Sequence, residues 1–367
     1  MKNYNVMIKP ASSLCNMRCK YCFYADVAEA REVCSFGIMT DEVMASTLEN
    51  IRRCVGEGDR VNFVFQGGEP TLAGVDFITR FVERTSAWQG VTVTYALQTN
   101  AVLINEEWCQ LLKEHSFLVG VSLDVLEDAH DSVRLGADGG GTYKAVLSAI
   151  EMLKRHKIDF NVLCTLTGYV ARHPREVYKQ LKRLGIDFVQ FTPCLDDFDG
   201  KSPYAITPKG YASFYTVLFD LWYEDYKKGK YVSVKLFEDV INQLVLRTPT
   251  ICGGDGKCRP QLVVEADGGV YPCDFYCLDK YKLGNLTSSS VDELLHSKAV
   301  TDFVSRKTER PDLCDKCRYS GFCGGNCARM RHGICVGEDK SFCGFKAFLD
   351  KCGGTLTALA RSVLSRR

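Results

Sequence analysis

Apolar residues gather along this chain in short runs, set far apart and separated by amphipathic stretches of helical length. The runs over 6–8, 61–65, 91–97, 117–123, 160–166 and 188–191 are almost continuously apolar. Strands of that composition are buried on both faces. Between them, 41–54 follows a capping Thr40 or Asp41, 106–115 follows Asn105, and 142–156 follows Gly141. Each reads as a capped amphipathic helix. Six strands alternating with helices predict a parallel α/β sheet, open or partly closed into a barrel. Ligands in such sheets sit at the carboxyl ends of the strands, so the residues that follow each strand are the first candidates for chemistry.

The first strand runs into Cys15-Asn16-Met17-Arg18-Cys19-Lys20-Tyr21-Cys22, three thiols spaced C-x3-C-x2-C. A loop of that spacing can wrap three corners of a 4Fe–4S cubane. Such a cluster normally takes four thiolates, so one iron is left open to a small molecule. A zinc knuckle or simple buried thiols are the competing readings. After the second strand, Phe65-Gln66-Gly67-Gly68-Glu69-Pro70 makes a tight turn whose backbone can approach a ligand closely. Glu69 is placed to accept from a ligand amine. Gln98-Thr99-Asn100 and Ser122-Leu123-Asp124 put polar groups at the same sheet edge, and the guanidinium of Arg134 suits a bidentate clamp on a carboxylate. Gly139-Gly140-Gly141 lacks the Lys-Ser/Thr of a phosphate cradle and reads as a loop. Cys194 and Leu195 follow strand six. The acidic run 196–200, which includes Asp199, lacks EF-hand spacing and reads as a solvated loop. The segment 211–228 is an aromatic-rich amphipathic helix, and its stripe is expected in the core.

The charge balance narrows the class of partner. Lys and Arg total 46 against 45 Asp and Glu, a formal charge of +1. No long-range field draws the chain to nucleic acid or an anionic membrane. No apolar run approaches the ~18–20 residues of a membrane span, and the first residues lack a signal-peptide profile, which places the protein in the cytosol. Nineteen cysteines in 367 residues do not fit a short secreted disulfide scaffold. Metal or cluster ligation is the better account, and it implies a reducing, anaerobic cell. Eleven of the nineteen lie in the last 116 residues. There Cys252 and Cys258 precede a hairpin with an Asp267-Gly268 turn that ends at Cys273. Cys314-x2-Cys317-x5-Cys323-x3-Cys327 and Cys343 follow. Eight thiols so spaced can hold two further four-iron clusters.

Taken together, these motifs resemble a known family. Cys15-x3-Cys19-x2-Cys22 with Tyr21 before the last thiol resembles the radical S-adenosylmethionine (SAM) signature. Gly67-Gly68-Glu69-Pro70 looks like its methionine-binding turn, and the array from Cys252 to Cys343 resembles a SPASM domain. Ile8-Lys9-Pro10-Ala11-Ser12-Ser13, 65–72, and Tyr271-Pro272-Cys273-Asp274-Phe275-Tyr276 narrow the resemblance to anaerobic sulfatase-maturating enzymes. That resemblance implies a partial (β6/α6) barrel over 1–235 and an auxiliary-cluster domain over 236–367. It implies three 4Fe–4S clusters and SAM, with SAM held by the Tyr21 backbone, Gly67, Gly68, Glu69, Ser122, Arg134 and Leu195. Auxiliary cluster one would take Cys252, Cys258, Cys273 and Cys327; auxiliary cluster two would take Cys314, Cys317, Cys323 and Cys343. Cleavage of SAM would give a 5′-deoxyadenosyl radical that takes a Cβ hydrogen from a cysteine or serine of a sulfatase peptide. Asp274 would deprotonate that side chain, giving Cα-formylglycine. A flavodoxin- or ferredoxin-type donor would supply electrons.

Two other functions remain open from the sequence: a peptide cyclase that forms a thioether or carbon–carbon link in a precursor peptide, and a metal scaffold without catalysis. Val125 stands where the family commonly has glycine. Cys34, Cys194, Cys277 and Cys335 have no assigned role and are expected to be buried as small apolar residues. Cys277 stands out because it lies three positions beyond Asp274.

Overall fold

The computed structural model describes the chain except for residues 199, 201, 309, 337–339, 366 and 367, so Asp199 of the acidic run lies outside the described residues. In chain order the strands are β1 (Asn3–Ile8), β2 (Met17–Cys19), β3 (Arg60–Phe65), β4 (Thr92–Thr99), β5 (Leu118–Ser122), β6 (Arg134–Gly136), β7 (Phe160–Leu166), β8 (Phe188–Pro193), β9 (Ser233–Val234), β10 (Leu262–Val264), β11 (Gly269–Tyr271) and β12 (Gly284–Asn285). All six expected strands are present. The described chain forms two compact units that are not consecutive in sequence. One comprises Met1–Ser122, Arg134–Phe160 and Pro260–Arg306; the other comprises Leu123–Val133, Asn161–Arg259 and the chain from Lys307 onward.

In the first unit β1 lies between β10 and β3, parallel to both. Parallel pairing continues from β3 to β4 and from β4 to β5. The expected hairpin is β10 with β11, antiparallel, and β12 extends it. Parallel strands are flanked by helices that cover them. The helix Asp41–Cys54 starts at Thr40, whose side chain accepts from Val43 N. The helix Glu106–Glu114 starts at Asn105, which accepts from Trp108 N. The third expected helix is Tyr143–Arg155, with Thr142 rather than Gly141 at its cap. Phe63, Phe65, Phe81 and Phe117 are fully enclosed. Phe65 meets Phe81 edge-on at 4.9 Å between centroids and stacks on Phe117 at 6.1 Å.

In the second unit β7, β8 and β9 pair in parallel. The aromatic helix is longer at its start than its pattern suggested. It spans Pro208–Tyr226, with Pro at its first turn and the Thr207 side chain accepting from Gly210 N. As expected, its stripe is core: Tyr215, Phe219 and Trp222 are buried against Phe237 and Phe348, and Phe214 is buried against Phe191. The departure residue Val125 is buried with φ 58°, a left-handed conformation that β-branched residues rarely adopt.

Truncating the ring between Phe81 and Phe117 tests this account of the first core. Phe65→Ala should lose about 3–5 kcal/mol of folding stability, read from denaturant midpoints followed by circular dichroism. A loss below about 1 kcal/mol would show that the aromatic stack does not anchor the sheet.

Candidate active site

The parallel strands β1, β3, β4 and β5 deliver Lys9, Gln66, Asn100 and Ser122 to one edge, because each of these residues closes or follows its strand. The cysteine loop starts there. It turns through Ser12 N to Lys9 O (3.1 Å) and Leu14 N to Ala11 O (2.9 Å). The glycine turn clamps it from the next strand: Gly68 N donates to Ser12 O and Glu69 N to Leu14 O, each at 2.8 Å. Glycine is required here by contact as well as by backbone. Gly67 has φ 131°, and a Cβ on Gly68 would lie 2.1 Å from Leu14 O. An alanine at 68 would therefore push the loop that carries the thiols.

A ladder that the strand pattern did not reveal fixes the far end of the loop. β2 pairs antiparallel with β6, setting Cys19 opposite Arg134 and Met17 opposite Gly136. Both strands have three residues, too short for a periodic signal. The Arg134 guanidinium lies 5.3 Å from the centre of the Tyr21 ring. Asn100 Nδ2 donates to Asn16 Oδ1 at 2.7 Å, Met17 N lies 3.4 Å from the Cys15 sulfur, and Gln98 Nε2 donates to Ser122 Oγ at 3.1 Å. Cys22 sits at the N-cap of the helix Phe23–Glu29 without using its side chain as a cap. Burial pushes the Cys15 thiol above its usual range. Tyr21, Gly67, Gly68, Ser122 and Arg134 thus all belong to the first unit, whereas Leu195 lies beyond β8 in the second.

Glu69 has a different part from the one its position suggested. Its carboxylate is buried and accepts from Thr71 N, Thr71 Oγ1 and Thr99 Oγ1 at Oε1, and from Asn100 N at Oε2. Four donors fill the roughly four acceptor sites of a carboxylate. Burial raises its pKa above the ordinary carboxyl value, opposed by those donors. Glu69 therefore braces the glycine turn against the end of β4.

Asp274 opens a short 3-10 turn, Asp274–Tyr276, just after β11. Both carboxylate oxygens are held. Lys9 Nζ lies 2.6 Å from Oδ1, and Gln66 Nε2 lies 2.8 Å from Oδ2. The sequence motifs contained Lys9 and Gln66 but gave them no role; neither composition nor period singles out a lysine after an apolar strand. Lys9 is wholly buried, with its ammonium 3.6 Å from the centre of the Tyr24 ring. Burial works against that ammonium, but Asp274 first, then Cys277 and Glu265, raise its pKa above the usual lysine value. The Tyr24 hydroxyl donates to Glu265 Oε1, which also pairs with Arg31 Nη1 at 2.8 Å. Cys277 is buried, as expected, and its thiol donates to Cys273 O at 3.6 Å. Burial above all pushes that thiol's pKa up.

Of the other unassigned thiols, Cys194 and Cys335 are buried but Cys34 is exposed. Its backbone is the bonded part: Cys34 O accepts from Ser13 Oγ and Arg31 Nη2. In the second unit the structure brings two thiol groups together. Burial raises Cys252, followed by the charges of Cys327 and Cys258. Burial also pushes Cys323 up to about 11, with Cys343, Cys314 and Cys317 adding to it. Cys273 belongs to the first unit.

These thiols fit iron–sulfur ligation by their chemistry. All nineteen cysteines are free of disulfides, and those of the signature and of the C-terminal sets occur in groups. Among the described residues no three His, Cys, Asp or Glu side chains converge tightly enough to cage a single metal ion. The fit rests on the chemistry of the thiols and on their spacing along the chain.

Comparison with known proteins agrees with this geometry. Residues 10–181 match the radical SAM superfamily model, and 256–318 match the SPASM iron–sulfur cluster-binding domain. The chain is 37% identical to a cysteine-type anaerobic sulfatase-maturating enzyme of Clostridium novyi over 100% of both proteins. It is 27% identical to a serine-type anaerobic sulfatase-maturating enzyme of Bacteroides thetaiotaomicron, covering 89% of this chain and 83% of that protein. A solved structure, native anSMEcpe with bound AdoMet and Cp18Cys peptide, superposes with a TM-score of 0.89 at 36% identity, covering 98% of this chain and 99% of that one. The α/β fold with a radical SAM domain, a SPASM domain, and a site built from the thiol loop, glycine turn and held carboxylate places this chain in the family of anaerobic sulfatase-maturating radical SAM enzymes.

Proposed function

We propose that this enzyme oxidises a cysteine of a sulfatase peptide to Cα-formylglycine, with Asp274 as the base. The observation that carries the reading is the Asp274 carboxylate, held at one oxygen by a buried ammonium and at the other by an amide, at the sheet edge where the thiol loop begins. The cysteine-type relative, at 37% identity over the full length, supports cysteine over serine. Cys15, Cys19 and Cys22 are the proposed ligands of the open cluster. Tyr21, Gly67, Gly68, Ser122, Arg134 and Leu195 are the proposed SAM contacts. The eight C-terminal thiols are the proposed ligands of two auxiliary clusters, in the sets given by the resemblance, and 1–235 and 236–367 are the proposed domain limits.

An open cluster held by Cys15, Cys19 and Cys22, with SAM bound, would supply the hydrogen-abstracting radical chemistry at the substrate Cβ, and the auxiliary clusters would supply an acceptor for one electron. The chain's own residues do the remainder. Asp274 takes the substrate's S–H proton, a transfer that requires a base within hydrogen-bond reach. Loss of a hydrogen atom, a proton and an electron from –CH2–SH leaves a thioaldehyde. Water then replaces sulfur, giving the aldehyde and hydrogen sulfide. Lys9 and Gln66 fix which lone pairs of Asp274 remain for the substrate. Arg134, buried beside Tyr21, is suited to a carboxylate clamp. No helix among the described residues is long and apolar enough to cross a membrane. The disulfide-free thiols suit a reducing, anaerobic compartment, proposed here as the cytosol; the formal charge of +1 gives no long-range pull toward nucleic acid, and the proposed electron donor is of the flavodoxin or ferredoxin type.

Reconstituted enzyme with SAM, a reductant and a Cys-x-Pro/Ala-x-Arg peptide should show the mass change of a thiol-to-aldehyde exchange. Vigorous SAM cleavage without that change would refute the reading, and a crosslinked peptide of unaltered sulfur content would replace it with the cyclase. Cys19→Ala should abolish SAM cleavage, measured as 5′-deoxyadenosine; retained cleavage would remove this thiol from the ligand set. Asp274→Asn should keep SAM cleavage but lower formylglycine formation by about 10²–10⁴-fold, the usual worth of a positioned base.

A further inference from the structure

The side chain that faces Asp274 from the first strand is anchored along its whole length. Lys9 N donates to Val264 O at 2.8 Å, which fixes the backbone to β10. Its stem lies where Gly67 has no side chain: a Cβ on Gly67 would come within 3.2 Å of Lys9 Cβ and 3.3 Å of Lys9 Cγ. Its ammonium sits over the Tyr24 ring, and Tyr24 is fixed in turn by Glu265, which is held by Arg31. Lys9, Arg31 and Glu265 are entirely removed from solvent at their side chains, while Asp274 retains 12% exposure. The open side of this group is therefore the carboxylate. A lysine buried this deeply is costly unless paired, and a substrate-facing carboxylate is the partner it has.

We propose that Lys9 is a positioning residue for the oxidation, aiming the Asp274 carboxylate at the substrate thiol and supplying its countercharge. The proposal rests on the reading of Asp274 as the base. Lys9 holds Oδ1 and Gln66 holds Oδ2, which leaves the substrate only the acceptor positions these two do not take. The stem of Lys9 against Gly67 also ties this aim to the turn proposed to hold SAM: displacing the turn displaces the base. Hydrogen abstraction at Cβ does not use Lys9; only the later loss of the thiol proton does.

The test separates these two steps. Lys9→Met and Lys9→Gln are purified and reconstituted beside wild type and Asp274→Asn, and iron and sulfide content are checked. Each is given a peptide with deuterium at the cysteine Cβ. Two quantities are read: deuterium in 5′-deoxyadenosine, and formylglycine formed per 5′-deoxyadenosine. Both Lys9 variants should transfer deuterium at near wild-type levels while formylglycine per 5′-deoxyadenosine falls by about tenfold or more, with kcat lowered and peptide KM little changed. Lys9→Gln keeps a hydrogen-bond donor, one atom shorter and without the charge, so it decides the matter should Lys9→Met fail to fold. An unchanged ratio in the folded variants overturns the proposal. A parallel loss of label transfer and product also overturns it, in favour of a purely structural lysine. If Asp274→Asn loses coupling and the Lys9 variants keep it, the Lys9 role alone fails. If Asp274→Asn keeps the wild-type ratio, the base assignment fails and this proposal with it.

Discussion

A buried ion pair joins the start of this chain to a residue 265 positions later: Lys9 just after β1 and Asp274 after β11. The pair can form because β1 lies between β3 and β10. Lys9 then meets a residue from the β10–β11 hairpin on one side and Gln66 from beyond β3 on the other. The hairpin belongs to the cysteine-rich part of the sequence, yet it packs in the same compact unit as the thiol loop. Without that pairing, the carboxylate and the cluster loop would have no common frame.

The frame is tightened by a second constraint, the close approach of two loops. The glycine turn lies so near the thiol loop that no side chain fits at Gly68. Glu69, braced by four donors, holds the turn from behind. Buried polar groups carry a cost unless their partners are complete, and the partners here come from β1, β3, β4 and their loops. The same hydrogen bonds that satisfy these groups also fix the register of the site. Radical chemistry benefits from such rigidity, since orientation contributes a large part of a barrier reduction.

Much of this was legible in the sequence because the signals were either periodic or spaced. The six strands showed as apolar runs, the caps at Thr40 and Asn105 showed as residue types, and the thiol loop showed as a fixed spacing. Residues that act through distant contacts were harder to read. Lys9 stands in Ile8-Lys9-Pro10 with no local sign that it is wholly buried, and its partner lies near the other end of the chain. Gln66 looked like a turn residue. Glu69 looked ligand-facing because sequence does not show the Thr99 hydroxyl and Asn100 amide that fill it. The β2–β6 ladder was too short to have a period, and Cys34 looked like any other buried thiol until its backbone was seen to be the bonded part.

The central claim is that Asp274 is the group that receives the substrate's thiol proton. An anaerobic crystal structure of the reconstituted enzyme with SAM and a cysteine-containing sulfatase peptide tests it most directly. The account predicts the peptide's sulfur within hydrogen-bond reach of an Asp274 oxygen that Lys9 and Gln66 leave open, and its Cβ turned toward the 5′ carbon of SAM. A peptide bound in that orientation with its sulfur directed away from Asp274, at another residue, would contradict it.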